Sequence, residues 1–294
     1  AEATGPIKTK LHPRLSTTTK SIWVIFLGLS IACGICYYLL GMNVFDSINY
    51  AMTTLATGGF ATHNDSIETF NSPTMEYVST LFCFLSGLNF ILLYRTLIKG
   101  EVKNLINNVE VKFYVGVTLI FTTFIMVMLI TRNGYDFEHA FRCGIYQVVS
   151  FLTTTGLFND DAAKWPHVTW VVLAVCMFIG GCAGSTSGGF KSVRCIMLLK
   201  VVRNEFRQML HPHAVLPLKI GDTNVPNQKR VTLLAFLTVY CLMCIFCAFI
   251  MIAAGVDNTN AITITISTGH KCITVIFITP LKSKTNFTQS IANI

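Results

Sequence analysis

Stretches 21–40, 113–130 and 231–254 each run for about 20 residues without a charged side chain, enough for a helix to cross a ~30 Å hydrocarbon core. Each is followed by the same two parts, a short semi-apolar segment opening near an Asp and then a Thr-Gly step. The first step is T-L-A-T-G-G-F at Thr54–Phe60 and the second is F-L-T-T-T-G-L-F at Phe151–Phe158. A fainter third is I-S-T-G-H at Ile266–His270. Gly58 and Gly156 lie about a hundred residues apart, and Gly156 and Gly269 slightly more, beyond the solenoid periods. The chain therefore reads as a duplicated module whose parts are placed relative to the Thr-Gly steps.

Composition says where the surface faces. Only 12% of residues are charged and 52% are hydrophobic, whereas a soluble domain carries about 25% charge. Much of the surface must face lipid. The net charge of +8 does not point to nucleic acid, because the charges fall between the apolar runs. The 11 cysteines sit mostly inside those runs. Cys33/Cys36 and Cys241/Cys244/Cys247 have the spacing of metal ligands but read as small apolar helix residues, and no disulfide framework is implied.

Read in order, the chain is an all-α membrane protein. Residues 1–20 form a basic loop. Residues 21–98 form a span, a dipping helix at Ser47–Ala56, the first step and a second helix that Pro73 opens and that runs to about Tyr94. Residues 99–112 are a polar linker. Residues 113–200 repeat the pattern, with a dip at Phe137–Leu152. The run His167–Lys200 would reach ~50 Å as one helix, too long for the core. It needs a break, which G-G-C-A-G-S-T-S-G-G-F-K at 180–191 supplies. Residues 201–230 are a basic loop and 231–294 a partial or divergent repeat, with a dip at Asn258–Ser267. Asp46, Asp136 and Asp257 are expected to cap the dips. Lys and Arg are concentrated in 1–20, 95–112 and 191–230, which places those loops in the cytoplasm and the Thr-Gly steps toward the outside.

A cation crossing a bilayer needs its water shell replaced, and rings of backbone carbonyls can do this. Aiming successive carbonyls at one axis needs unusual backbone angles, which glycine adopts readily. The C-terminal ends of the dipping helices add partial negative charge. For the 180–191 stretch, four readings compete: a small-residue packing seam, a mobile constriction, the broken helix of a secondary porter and a phosphate loop. The last needs Lys directly after the second Gly, but Phe190 precedes Lys191. Position in the span after a Thr-Gly step favours the constriction. Lys191 and Arg194 are expected to snorkel to the interface, with an electrostatic part in gating as the alternative. His211-Pro212-His213 reads as a loop rather than a metal pair.

Four stretches resemble the Trk/Ktr/HKT superfamily of potassium transporters, and within it the bacterial TrkH-type subunits: A-E-A-T-G-P-I-K at 1–8, T-T-L-A-T-G-G-F-A-T-H at 53–63, S-F-L-T-T-T-G-L at 150–157 and the 180–191 run. The resemblance covers roughly Ala1–Gly255. It implies four repeats in pseudo-fourfold array around one pore, a filter in each, and an obstructing intramembrane loop in the third. On that resemblance this chain holds repeats two and three and part of repeat four. Filter carbonyls would come from Ala56, Thr57, Gly58 and Gly59, from Thr154, Thr155, Gly156 and Leu157, and more faintly from Thr268 and Gly269. The gate would comprise Gly180, Gly181, Gly184, Ser185, Thr186, Ser187, Gly188, Gly189 and Lys191. The resemblance further implies a homodimer, a cytosolic TrkA-like nucleotide-binding ring, and residence in the bacterial inner membrane among lipid.

The function expected is potassium uptake through a carbonyl filter gated at 180–191, with K+ as the transported ion, no cofactor, no catalytic residue and no nucleic-acid partner. The alternative is a secondary porter coupling a solute to Na+ or H+. That mechanism calls for an ionisable residue inside a span, and 21–40, 113–130 and 231–254 hold none. The fourth step departs from the family pattern: S-T-G-H-K puts Lys271 where a cation would sit. The chain is accordingly expected to be a fragment or to have a divergent C-terminal end. Purified 1–294, reconstituted alone, is expected to pass no potassium; measurable flux would overturn the reading of an incomplete ring.

Overall fold

The computed structural model describes residues 15–161, 164–211, 219–220, 223–224, 227–255 and 265. Helices α1 (Leu15–Leu39), α2 (Val44–Leu55), α3 (Pro73–Ser86) and α4 (Phe90–Lys99) form the first set. A short helix, α5 (Val102–Asn107), leads to α6 (Val109–Met128), α7 (Phe137–Leu152), α8 (His167–Ile179) and α9 (Ser192–Leu210). Helix α10 (Asn227–Ala253) follows a two-residue hairpin, β1 (Lys219–Ile220) against antiparallel β2 (Thr223–Asn224). Among the described residues three helices are long and apolar enough to cross a membrane, Thr19–Leu39, Val109–Asn133 and Arg230–Ala253, and α3 with α4 makes a fourth if the bent pair counts as one span.

The two sets repeat one plan of spanning helix, short helix, turn and broken helix. Helix α1 packs on α2 as α6 packs on α7, and α3 packs across onto α7. Outward faces are apolar: Trp23, Ile31, Leu39, Ile120 and Phe249 are all exposed, as lipid contact requires. The apolar core lies in three clusters. One joins α6, α7 and α8 around Tyr114, Ile125 and Leu152. A second joins α1, α2 and α3 around Tyr37, Tyr50 and Met75. A third seats α10 against the start of α9 through Phe190, Val193, Phe236 and Tyr240.

The structure corrects several details of the sequence reading. Helix α2 is capped by Asn43, whose Oδ1 accepts the Asp46 N–H at 2.7 Å. Asp46 lies one turn inside, accepting the Asn43 amide at 2.8 Å and the Thr62 hydroxyl at 2.6 Å. The return bond comes from the Asn43 side-chain amide, so the pair satisfies one backbone donor, not the two of a capping box. Asp136 occupies the cap position of α7 without a side-chain capping bond, and Asp257 lies outside the described residues. The helix opened by Pro73 does not continue to Tyr94. It stops at Ser86, and α4 leaves at 106°. Asn89 causes the restart, accepting the Ile91 and Leu92 N–H groups at 2.9 and 3.4 Å. The long run from His167 breaks where expected, but α9 continues past Lys200 to Leu210.

A charged network ties α3 to α7. The Arg142 guanidinium donates to Glu76 and, at 3.1 Å, to Glu138, while Asn159 also donates to Glu76. The Arg142 and Glu76 side chains are only 12% and 8% exposed. Removing one partner of a buried pair leaves the other charge uncompensated. Arg142→Met is therefore expected to destabilise the protein by about 3 kcal/mol, read as a lowered midpoint of thermal unfolding in detergent. An unchanged midpoint would show that the pair contributes nothing to joining the repeats.

Candidate functional site

Helices α2 and α7 end in the same way. The residue after each helix, Ala56 or Thr153, stays helical at φ −78° or −82°. The next, Thr57 or Thr154, turns left-handed at φ 51° or 56°. Gly58 N–H then bonds to Thr53 O, and Thr155 N–H to Ser150 O, both at 2.8 Å. Gly59 and Gly156 follow at φ 79° and 83°. The turns thus correspond residue for residue, and the partner of Gly156 is Gly59. Taking Gly58 with Gly156, as the sequence spacing invites, is one residue out of register, because Thr155 fills the place of Gly58.

These turns meet backbone to backbone. A Cβ added at Gly156 would lie 3.7 Å from the Cα of Gly59, and one added at Gly59 would strike the carbonyl oxygen of Thr155. Of the residues expected to offer carbonyls, Leu157 is buried, and its carbonyl accepts the Ser150 hydroxyl. Ala56 and Gly156 are exposed. Thr268 and Gly269 lie outside the described residues, as do Pro212 and His213.

The 180–191 loop lies against both turns. The Thr57 hydroxyl is 3.0 Å from Thr186 O and 2.7 Å from its neighbour Ala56 O, with one proton to serve either. The Thr186 hydroxyl lies 2.8 Å from Leu55 O and 3.3 Å from Ser86 O. Gly188 N–H donates to the Thr154 hydroxyl at 2.7 Å. Both left-handed threonines, an uncommon conformation for a β-branched residue, are therefore the ones that hold the loop. On its other flank the loop meets the α3–α4 break: Cys182 N–H donates to Gly87 O at 2.8 Å and Phe90 N–H to Gly184 O at 3.2 Å. Its two ends cross at Gly180 and Gly189, where a Cβ on either would come within 2.6 Å of the other's strand.

Lys191 does not snorkel. It is buried, 6% exposed, and its ammonium donates to Ser187 O. Arg194 is half-buried, its guanidinium 4.3 Å above the Phe236 ring. Sequence reading missed Glu110 altogether. Helix α6 begins at Val109, and the buried Glu110 carboxylate accepts the Ala183 N–H at 2.6 Å. The signal was present: Asn108 followed by Glu110 is a helix start, and Asn108 Oδ1 accepts the Glu110 N–H at 2.9 Å. No group of His, Cys, Asp and Glu fit to hold a metal ion occurs among the described residues.

Comparison with known proteins places this geometry. The family model TrkH, described as a cation transport protein, matches residues 2–267. The Trk system potassium uptake protein TrkH of Salmonella typhimurium is 35% identical over 270 residues, 91% of this chain and 56% of the relative. The Escherichia coli protein TrkG of the same system is 36% identical over 260 residues, covering 87% and 53%. The crystal structure of the potassium transporter TrkH from Vibrio parahaemolyticus matches with a TM-score of 0.83 at 32% identity, covering 88% of this chain and 56% of that one. The chain thus spans about half the length of the curated relatives it matches.

The register of the turns sets a test. Gly59→Ala adds a Cβ at left-handed φ against a carbonyl, whereas Gly58 occupies the place that Thr155 fills in the other repeat. Gly59→Ala is expected to cost at least ~1 kcal/mol more than Gly58→Ala, measured as the difference in thermal unfolding midpoint. Equal effects would contradict the one-residue offset.

Proposed function

The chain belongs to the TrkH family of cation transport proteins, and from that premise we propose that it forms part of a pathway for potassium uptake across the bacterial inner membrane. The carrying observation is the pair of corresponding Thr-Gly turns, abutting at Gly59 and Gly156 with a hydrogen-bonded loop against them. Carbonyls of Ala56, Thr57, Gly58 and Gly59, and of Thr154, Thr155, Gly156 and Leu157, line one side of an ion filter. Leu157 stays in the set: its carbonyl accepts the Ser150 hydroxyl as that of Ala56 accepts the Thr57 hydroxyl, and a carbonyl oxygen has a second lone pair for an ion. Residues 21–98 and 113–200 supply two of four quarters, and 231–294 begins another. Potassium moves down its electrochemical gradient, with no covalent chemistry.

In this reading the 180–191 loop is the gate. It sits where a dehydrated ion leaving the filter must pass, and it is held by hydroxyl and N–H groups that can be exchanged one at a time. The basic loops face the cytoplasm, where a TrkA-like nucleotide-binding ring would act on a dimer of the complete protein. A porter mechanism gains one observation, since Glu110 is a buried acid within the α6 span. Its carboxylate is engaged by loop backbone, which supports reading it as part of the gate.

Two measurements test the proposal. Shortening the loop within 181–188 in the complete transporter is expected to raise basal potassium uptake into deficient cells at equal protein level; unchanged uptake would remove the gate assignment. Gly59→Ser is expected to reduce K+ over Na+ discrimination by about tenfold, the consequence of ~1.4 kcal/mol lost at one filter wall. Unaltered selectivity would count against these carbonyls as ligands.

A further inference from the structure

Glu110 is the one acidic side chain that the described residues place against the loop. It comes from α6, an element outside the loop, and it is hydrogen-bonded to the first of the loop's arms. On the first arm it accepts the Ala183 N–H at 2.6 Å. The positive charge of Lys191, on the second arm, favours the carboxylate electrostatically, against the larger cost of burying it. Lys191 in turn donates to Ser187 O, so its charge is fixed at the loop's closing end. Lys191 itself is held at φ 77°, a left-handed conformation that its packing must maintain.

A carboxylate buried in this way is tolerated only while donors and a cation surround it. All of the groups named above lie in the loop or at its junction with α9. Moving the loop away would strip Glu110 of them and leave a bare charge in a low-dielectric setting. The threonine contacts of the filter turns are neutral hydrogen bonds and lack this asymmetry.

We propose that Glu110 is a positioning residue that latches the 180–191 loop in its closed arrangement through its hydrogen bond to Ala183, with the charge of Lys191 on the other arm helping to hold the carboxylate there. The inference rests on the loop being the gate. It adds that the closed state is set by a charge on α6, which lies in the half of the repeat before the filter and was not part of the gate as read from sequence. A displacement of the N-terminal end of α6, which the α5 linker joins to the first repeat, would then be felt directly at the loop.

The test uses the complete transporter in potassium-uptake-deficient cells and in proteoliposomes. Glu110→Gln keeps an acceptor for Ala183 but removes the charge. It is expected to raise basal potassium flux by about tenfold, the size of exchanging a charge-assisted hydrogen bond for a neutral one. K+ over Na+ discrimination should stay at the native value, which a general loosening of the filter would not allow. Glu110→Asp should restore part of the closure. Lys191→Met alone should also raise flux, and the double variant Glu110→Gln with Lys191→Met should raise it no further than the larger single effect. If Glu110→Gln does not accumulate in the membrane, Lys191→Met carries the test by the same readout. Native basal flux in both single variants, while loop shortening raises it, would overturn the latch and leave the gate standing. Native flux in all three would overturn the gate itself.

Discussion

Irregular backbone inside a membrane must find its hydrogen bonds within the protein, because lipid offers none. The loop at 180–191 meets this demand through groups drawn from four places: the two Thr-Gly turns, the α3–α4 break and Glu110. Thr57, Thr154, Gly87 O and the Glu110 carboxylate each engage a backbone group of the loop. The same contacts fix the turns, since the two left-handed threonines are those whose hydroxyls the loop engages. The Thr-Gly turns and the loop are therefore one hydrogen-bonded unit.

The two broken helices give this unit its shape. Helix α3 stops at Ser86 and α8 at Ile179, and the residues after each stop bond to one another through Cys182 and Gly87. Gly87 has no room for a side chain beside Tyr114 and Thr153. The break in the first repeat is thus a seat for the longer break in the second. At the other end of α3, the Glu76–Arg142 network holds the repeats together at the entry to α7. The two helix sets are joined at both ends of α3, with the abutting glycine turns between.

Much of this was legible in the residues. The Thr-Gly steps, the dip at 137–152 and the interruption at 180–191 stand out because glycine clusters and missing charge are strong local signals. The register of the two turns was not legible, because T-G-G and T-T-G can be paired at either glycine and only φ distinguishes them. The break at 87–89 was hidden because one glycine and one asparagine inside an apolar run look like tolerated exceptions. Lys191 was expected at the interface because helix-end lysines usually reach water, and only the folded loop shows that it is buried. Glu110 was lost by starting the span at Phe113, four residues after α6 begins at Val109. The third step at Thr268 and Gly269 lies outside the described residues.

The central claim is that the loop, where it lies against the Thr57 and Thr154 turns, closes the path beneath the filter. The most direct test pins it there. Thr57→Cys paired with Thr186→Cys, in a complete transporter whose native cysteines are replaced, can be cross-linked with a short thiol reagent that reductant cleaves. The account predicts that cross-linking abolishes stimulated potassium flux and that reduction restores it. Full flux through the cross-linked protein would contradict it.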